Sequence, residues 1–207
     1  MKKYTNDIKL LQTELLKLPK IWEGKKSVLE LKEADYNWRQ MEWWAFYFEF
    51  IVHKILNEKF AFPGDKFDNV CFDLKGNINW DLKVAMLNSD NEFCILNNKN
   101  IVDTAISKDG YYGVLLAICD VEWGDLDKTL RKWFYELKIE MFDNKLWKHI
   151  LNKYYITRVQ LNSFVFIVID KNGLERLSSI ASKDKNNQYM INMDIITDFE
   201  HYFMEVA

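Results

Sequence analysis

Apolar and polar positions change their period several times along the chain, and each change predicts an element. Ile8, Leu11, Leu15 and Leu16 recur at helical spacing, which predicts a first helix from about residue 5 to residue 18, ended near Pro19. After a polar connection, residues 36 to 57 run without Gly or Pro and are apolar on most sides, from Trp38 through Trp43, Phe48 and Val52 to Leu56. That fits a helix covered by other elements. Pro63-Gly64-Asp65 breaks the chain, and residues 67 to 74 and 77 to 87 read as two short strands joined at Lys75-Gly76 into a hairpin. A turn at Asn88-Ser89-Asp90-Asn91 leads to a third strand, Phe93-Cys94-Ile95-Leu96. Asn97 or Asn98 can then cap a short helix running through Ser107 and ended by Gly110.

The run from Tyr112 to Cys119 is almost unbroken in its apolar character, as in a strand covered on both faces, and should be central. Residues 125 to 151 suggest one or two basic amphipathic helices. Phe164 to Ile169 suggests another strand, before the turn Asp170-Lys171-Asn172-Gly173. The chain beyond it carries no decisive pattern. No repeat, low-complexity tract or linker interrupts residues 1–207, so one domain is expected.

Composition narrows the class. Of 207 residues, 49 % are apolar and 29 % charged, with only seven Gly and two Pro, which excludes disordered and collagen-like chains. The 14 Phe, 10 Tyr and 8 Trp supply a large core, and no apolar run reaches the roughly 20 residues that span a bilayer. The opening Met1-Lys2-Lys3-Tyr4-Thr5 lacks the apolar stretch of a signal peptide, so a cytoplasmic location and no membrane are expected. Cys71, Cys94 and Cys119 have no paired spacing and read as reduced core thiols. His53, His149 and His201 are too scattered to suggest zinc.

A net charge of -3 neither demands nor forbids a polyanionic partner, because phosphate binding needs only a local basic surface. Residues 1 to 26 hold seven Lys against three acids, and residues 126 to 158 hold eight Lys or Arg against four acids. Either segment can face a polyanion or solvent.

The candidate chemistry lies in the hairpin. Acid-x-Lys occurs seven times, beginning at Asp7, Glu23, Glu30, Asp73, Asp81, Glu136 and Asp143. Only Asp81-Leu82-Lys83 begins an internal strand beside another acid-bearing strand. Residues i and i+2 of a strand share a face, so Asp81 and Lys83 can converge on one phosphate. The order helix, three strands, helix, buried strand, with Pro63-Gly64-Asp65-Lys66-Phe67-Asp68 followed by Asp81-Leu82-Lys83, resembles the core of the PD-(D/E)XK nucleases, which include most type II restriction endonucleases. The resemblance covers roughly residues 36–120, with Phe67 where the family has Pro and Asp81 where Glu is commoner.

The resemblance implies an α/β fold with a restriction endonuclease-like αβββαβ core, a central mixed sheet flanked by helices. It implies a Mg²⁺-dependent endonuclease that hydrolyses duplex DNA, acting as a homodimer. Asp68 and Asp81 would hold the metal, and Lys83 would orient the nucleophile or stabilise developing charge. A four-residue loop at 73–76 would set Asp68 opposite Asp81, which ranks Asp68 ahead of Asp73. A three-residue loop would turn Asp68 away. Many such nucleases add a Glu from the preceding helix; Glu42 and Glu49 are candidates seven residues apart, Glu49 first, with Gln40 and His53 on the same polar line. Lys99, Arg131, Lys132 and Arg158 are candidates for contacts to DNA, and Asn97, Asn98, Gln160 and Asn162 are of types that read base edges. The competing readings are a non-catalytic DNA-binding or assembly protein with this fold, and a repair or junction nuclease.

Overall fold

The computed structural model describes residues 2–40, 42–63, 72–87, 93–124, 129–138, 156–180 and 187–206. In chain order these form α1 (Thr5–Leu15), β1 (Ile21–Glu23), α2 (Gly24–Glu33), α3 (Trp43–Leu56), β2 (Leu74–Lys75), β3 (Asn79–Met86), β4 (Phe93–Asn98), α4 (Lys99–Asp109), β5 (Tyr112–Trp123), α5 (Thr129–Lys138) and β6 (Ile156–Ile169). A one-turn helix (Lys171–Leu174), β7 (Ser178–Ile180), β8 (Gln188–Asn192), a 3-10 segment (Met193–Asp198) and β9 (Glu200–Glu205) follow.

The main sheet runs β1-β6-β5-β3-β2, and β9 also pairs with β6. β3 and β5 are parallel and the other pairs antiparallel, so the fold is α/β with a mixed, curled sheet flanked by helices. β5 lies between β3 and β6, and its period of two divides the core. Leu115 and Ala117 join Trp80, Phe48 and Val52 on the side of α1, α2 and α3, whereas Val114 and Leu116 join Val102, Ile106 and Ile167 on the side of α4. All four β5 residues are fully buried, as an apolar run covered on both faces requires. Gly113 stands opposite Trp80 in the register, and a Cβ there would come within 2.4 Å of the indole, so only glycine lets the ring lie across β5.

Five expectations are corrected. The helix expected over 36–57 begins only at Trp43, because Asp35 and Asn37 adopt φ of 50° and 39° and cannot continue a helix. The third strand does not extend the meander: β4 pairs with β8 in a separate sheet, β4-β8-β7, and buries Cys94 and Leu96 against α4 and Ile191. The basic helical region, expected over about 125–158, is not helical to its end, since Arg158 lies on β6. The polar connection after α1 holds β1 and α2.

The hairpin register is the fifth correction and the most consequential. Leu74 pairs with Trp80 and Lys75 with Asn79, leaving the three-residue loop Gly76-Asn77-Ile78. The loop is held from α1. The Asp7 carboxylate, 4 % exposed, accepts from Asn77 N at 3.0 Å, Asn77 Nδ2 at 2.6 Å, Ile78 N at 3.2 Å and Trp80 Nε1 at 3.1 Å. A Cβ on Gly76 would stand 2.6 Å from Asp7 Oδ2, so this close approach also needs glycine.

Cys94 and Cys119 are buried free thiols, while Cys71 lies outside the described residues. Among the described residues no helix is long and apolar enough to cross a membrane.

Candidate functional site

Continuing the hairpin count outward from Leu74 and Trp80 sets Asp73 opposite Asp81. Asp73 N–H donates to the Trp80 carbonyl at 2.9 Å, and Asp73 Oδ2 accepts from Leu82 N at 2.6 Å, so its side chain reaches across to β3. Asp68 lies outside the described residues; the first acid placed beside Asp81 is Asp73.

Asp81 is 1 % exposed. Its Oδ2 accepts from Asn97 N at 3.2 Å, and its Oδ1 meets Lys83 Nζ at 2.7 Å as a charge contact without an aligned hydrogen bond. Buried carboxylates are stable when paired, and the Lys83 ammonium supplies that pairing at Oδ1. Two further buried oxygens belong to the same neighbourhood: Asn79 Oδ1, two residues before Asp81 and without an aligned donor, and Tyr112 Oη, on the register partner of Asn79, which interacts with Asn97 and Asp81.

The electrostatics are those of crowded acids. Burial raises the Asp73 carboxyl well above the usual range, and the Asp81 charge, with Glu49 behind it, adds to the rise against the opposing pull of Lys83. Glu49, on α3, is raised by burial, while a hydrogen bond from Tyr36 and the Lys83 charge pull the other way. Burial alone would lower Lys83, but Asp81 and Asp73 outweigh it and hold the ammonium above its ordinary range. Burial pushes His53 down to about 4, so its ring is neutral.

Glu49, Asp73, Asp81 and Lys83 therefore form one interacting group drawn from α3, the residue before β2, and β3. Glu42 does not join it. It is exposed, one residue ahead of α3, and seven residues of helix put it about 10 Å along the axis from Glu49. Gln40 is outside the helix too, so the expected polar line is reduced to Glu49 and His53. A cavity of about 230 Å³ opens beside Lys83, walled by Met86, Phe93, Ile95 and Met193.

The candidate DNA contacts fare unequally. Lys99 stands at the start of α4, two residues after Asn97, with Nζ 4.8 Å from the Tyr189 ring centre. Lys132 is exposed on α5, and the Arg131 side chain lies outside the description. Arg158 pairs with acids, Nε 3.2 Å from Glu23 Oε1 and Nη1 with Glu122, so a phosphate would compete with two carboxylates for it. Asn162 donates one amide hydrogen to Asp120 at 2.8 Å.

Among the described residues no group of three or more His, Cys, Asp or Glu side chains stands close enough to cage a metal. Mg²⁺ does not require a cage, since one or two carboxylates with waters and a substrate phosphate suffice. Facing carboxylates, with the Asp81 charge adding to the raised proton affinity of Asp73, fit a hard divalent ion. Sequence reasoning missed Tyr36, whose signal was weak: an aromatic residue between two polar turn residues, with nothing to show where its ring turns.

Comparison with known proteins adds no assignment: no family model, no curated protein and no solved structure matches this chain.

Proposed function

We propose that this chain is a Mg²⁺-dependent deoxyribonuclease of the type II restriction endonuclease kind, hydrolysing phosphodiester bonds of duplex DNA. The observation that carries the reading is the register that faces Asp73 with Asp81, sets Lys83 two residues further along β3, and brings Glu49 to the same group. Acids this crowded, beside a protonated lysine, suit a site that gains a cation and then a polyanion.

Asp73 and Asp81 would hold the ion, with Glu49 beside them. A bound Mg²⁺ would acidify a water and neutralise phosphate charge. The chain's own groups do the rest. Lys83 stays protonated because Asp81 and Asp73 hold it so, and it donates hydrogen bonds to the phosphate oxygens on which negative charge develops. The Asn97 amide and the Lys83 ammonium fix the Asp81 carboxylate from two sides. Lys99 and Lys132 are the proposed backbone contacts, giving affinity without sequence. One such site cuts one strand, so cleavage of both strands calls for two copies, and gel filtration should show a dimer.

Long duplex DNA incubated with the protein and Mg²⁺ should yield discrete fragments, and EDTA should abolish them. Lys83→Ala should slow cleavage by roughly 10²- to 10³-fold, the usual loss of one transition-state donor. Binding without cleavage by the unmodified protein would refute the enzyme reading, and cutting confined to branched DNA would move it to junction repair.

A further inference from the structure

The main sheet ends on one side in β2, a two-residue strand bridged at Lys75 by Ala61. On the other side β1 and β9 follow one another along β6. β9 is the long open edge: among the described residues its six residues pair only with β6, from Val168↔Glu200 to Ser163↔Glu205. Edge strands are ordinarily blunted by a lysine, a proline or a bulge. Glu200-His201-Tyr202-Phe203-Met204-Glu205 has no lysine or proline, its pairing runs without a register shift, and Phe203 near its middle is 58 % exposed.

The backbone fixes which groups point outward. Val206 N–H donates to the Asn162 carbonyl at 2.9 Å, so Glu205, and at the strand's period of two Phe203 and His201, turn their own N–H and C=O groups away from β6. The side chains of the same three residues share the exposed face, while Tyr202 and Met204 pack against the core. His201 Nδ1 lies 3.0 Å from the Phe199 carbonyl. A carbonyl only accepts, so Nδ1 carries a proton and Nε2 is left for another partner.

We propose that a second copy of this chain adds to the β9 edge, antiparallel and about a two-fold axis at Phe203, so that the two main sheets become one. In that register Phe203 meets its own copy, and His201 meets Glu205 of the second copy on either side of the axis. Outward N–H groups then face outward C=O groups along the whole strand. Each imidazole faces a carboxylate, the two exposed rings cover each other, and no like charges oppose. A slip of one residue would set Glu200 against Glu205 and put the outward groups out of phase, and centring on Glu205 would oppose two carboxylates. The inference supplies the second copy that cutting both strands calls for, and it holds without the nuclease reading.

Sedimentation equilibrium of the full chain should show a reversible dimer. His201→Glu places acid against acid at both symmetric contacts and should weaken it at least about tenfold. Adding Glu205→Lys to the same chain restores opposite charges across the axis and should return the affinity to near that of the unmodified protein. All these positions are exposed, so circular dichroism should be unchanged. The register is read by a short bismaleimide: Phe203→Cys should cross-link the dimer, its two Cα atoms being about 5.5 Å apart. Glu205→Cys, with its copies roughly 14 Å apart along the strands, should react no more than the unmodified protein. A monomer, a dimer indifferent to His201→Glu, or a loss that Glu205→Lys does not repair would overturn the proposal. A dimer with this pattern that cuts no DNA would leave the interface standing and remove the nuclease reading, whereas cleavage by a monomer would do the reverse.

Discussion

Asp7→Ala is expected to lower stability by about 4 kcal/mol, one of the largest effects of any single change in this chain. The carboxylate is buried and accepts four hydrogen bonds, three of them from the turn amides of Asn77 and Ile78 and the Trp80 indole. Alanine strands these donors away from water, and each lone buried donor costs about 1–3 kcal/mol. For a chain of this size the thermal midpoint should fall by roughly 10 °C. Asp7→Asn, which keeps one accepting oxygen, should lose about half as much. Because the turn sets the register, the alanine variant should also lose divalent-metal binding out of proportion to its stability. A loss under about 1 kcal/mol would mean that the turn holds its register without α1.

Asp73→Asn should do the reverse to stability while abolishing cleavage. The Asp73 carboxyl is raised in the folded protein by burial and by Asp81, so above the ordinary carboxylate range the folded chain binds a proton that the unfolded chain has lost. Stability then falls as pH climbs from about 4 through the raised folded value, by up to about 1.4 kcal/mol per pH unit for one proton. Glu49, raised in the same direction, adds to the slope. Asparagine retains an oxygen for the Leu82 amide and carries no charge, so the metal-free variant should melt higher than the unmodified protein above neutral pH, with a flatter pH profile. Mg²⁺ should restore the unmodified protein increasingly as pH rises and leave Asp73→Asn unaffected. Thermal melts at pH 5, 7 and 9, with EDTA or Mg²⁺, would show it. A variant that melts lower than the unmodified protein at every pH would mean that Asp73 is a structural hydrogen-bond acceptor and nothing more.

Much of this architecture was legible in the chain, for physical reasons that differ by element. The apolar run around Val114 to Ala117 identified the central strand because a strand covered on both faces has no polar alternative. Asp81-Leu82-Lys83 was found because strand periodicity alone puts Asp81 and Lys83 on one face, and they stand 2.7 Å apart. Asp68 was ranked above Asp73 because local turn chemistry favoured a four-residue loop. The actual loop is three residues long because α1, seventy residues earlier, supplies the carboxylate that closes it. A signal for that existed: Tyr4, Asp7 and Leu11 share the buried helix face, so an acid sat where only apolar residues were expected. Glu42 and Glu49 looked equivalent under helical spacing, and a helix start at Trp43, which no periodicity registers, separated them. The second sheet depends on β8, which pairs with β4 across roughly ninety residues, and such long-range pairing leaves no local mark.

The most direct test of the account is Mg²⁺ calorimetry on the unmodified protein and on Asp81→Asn, with thermal melts to establish that both are folded. The account predicts saturable binding that tightens with pH, as the ion displaces the proton held at Asp73, and its loss in Asp81→Asn. Binding of equal affinity in the two proteins, or none in either, would contradict it.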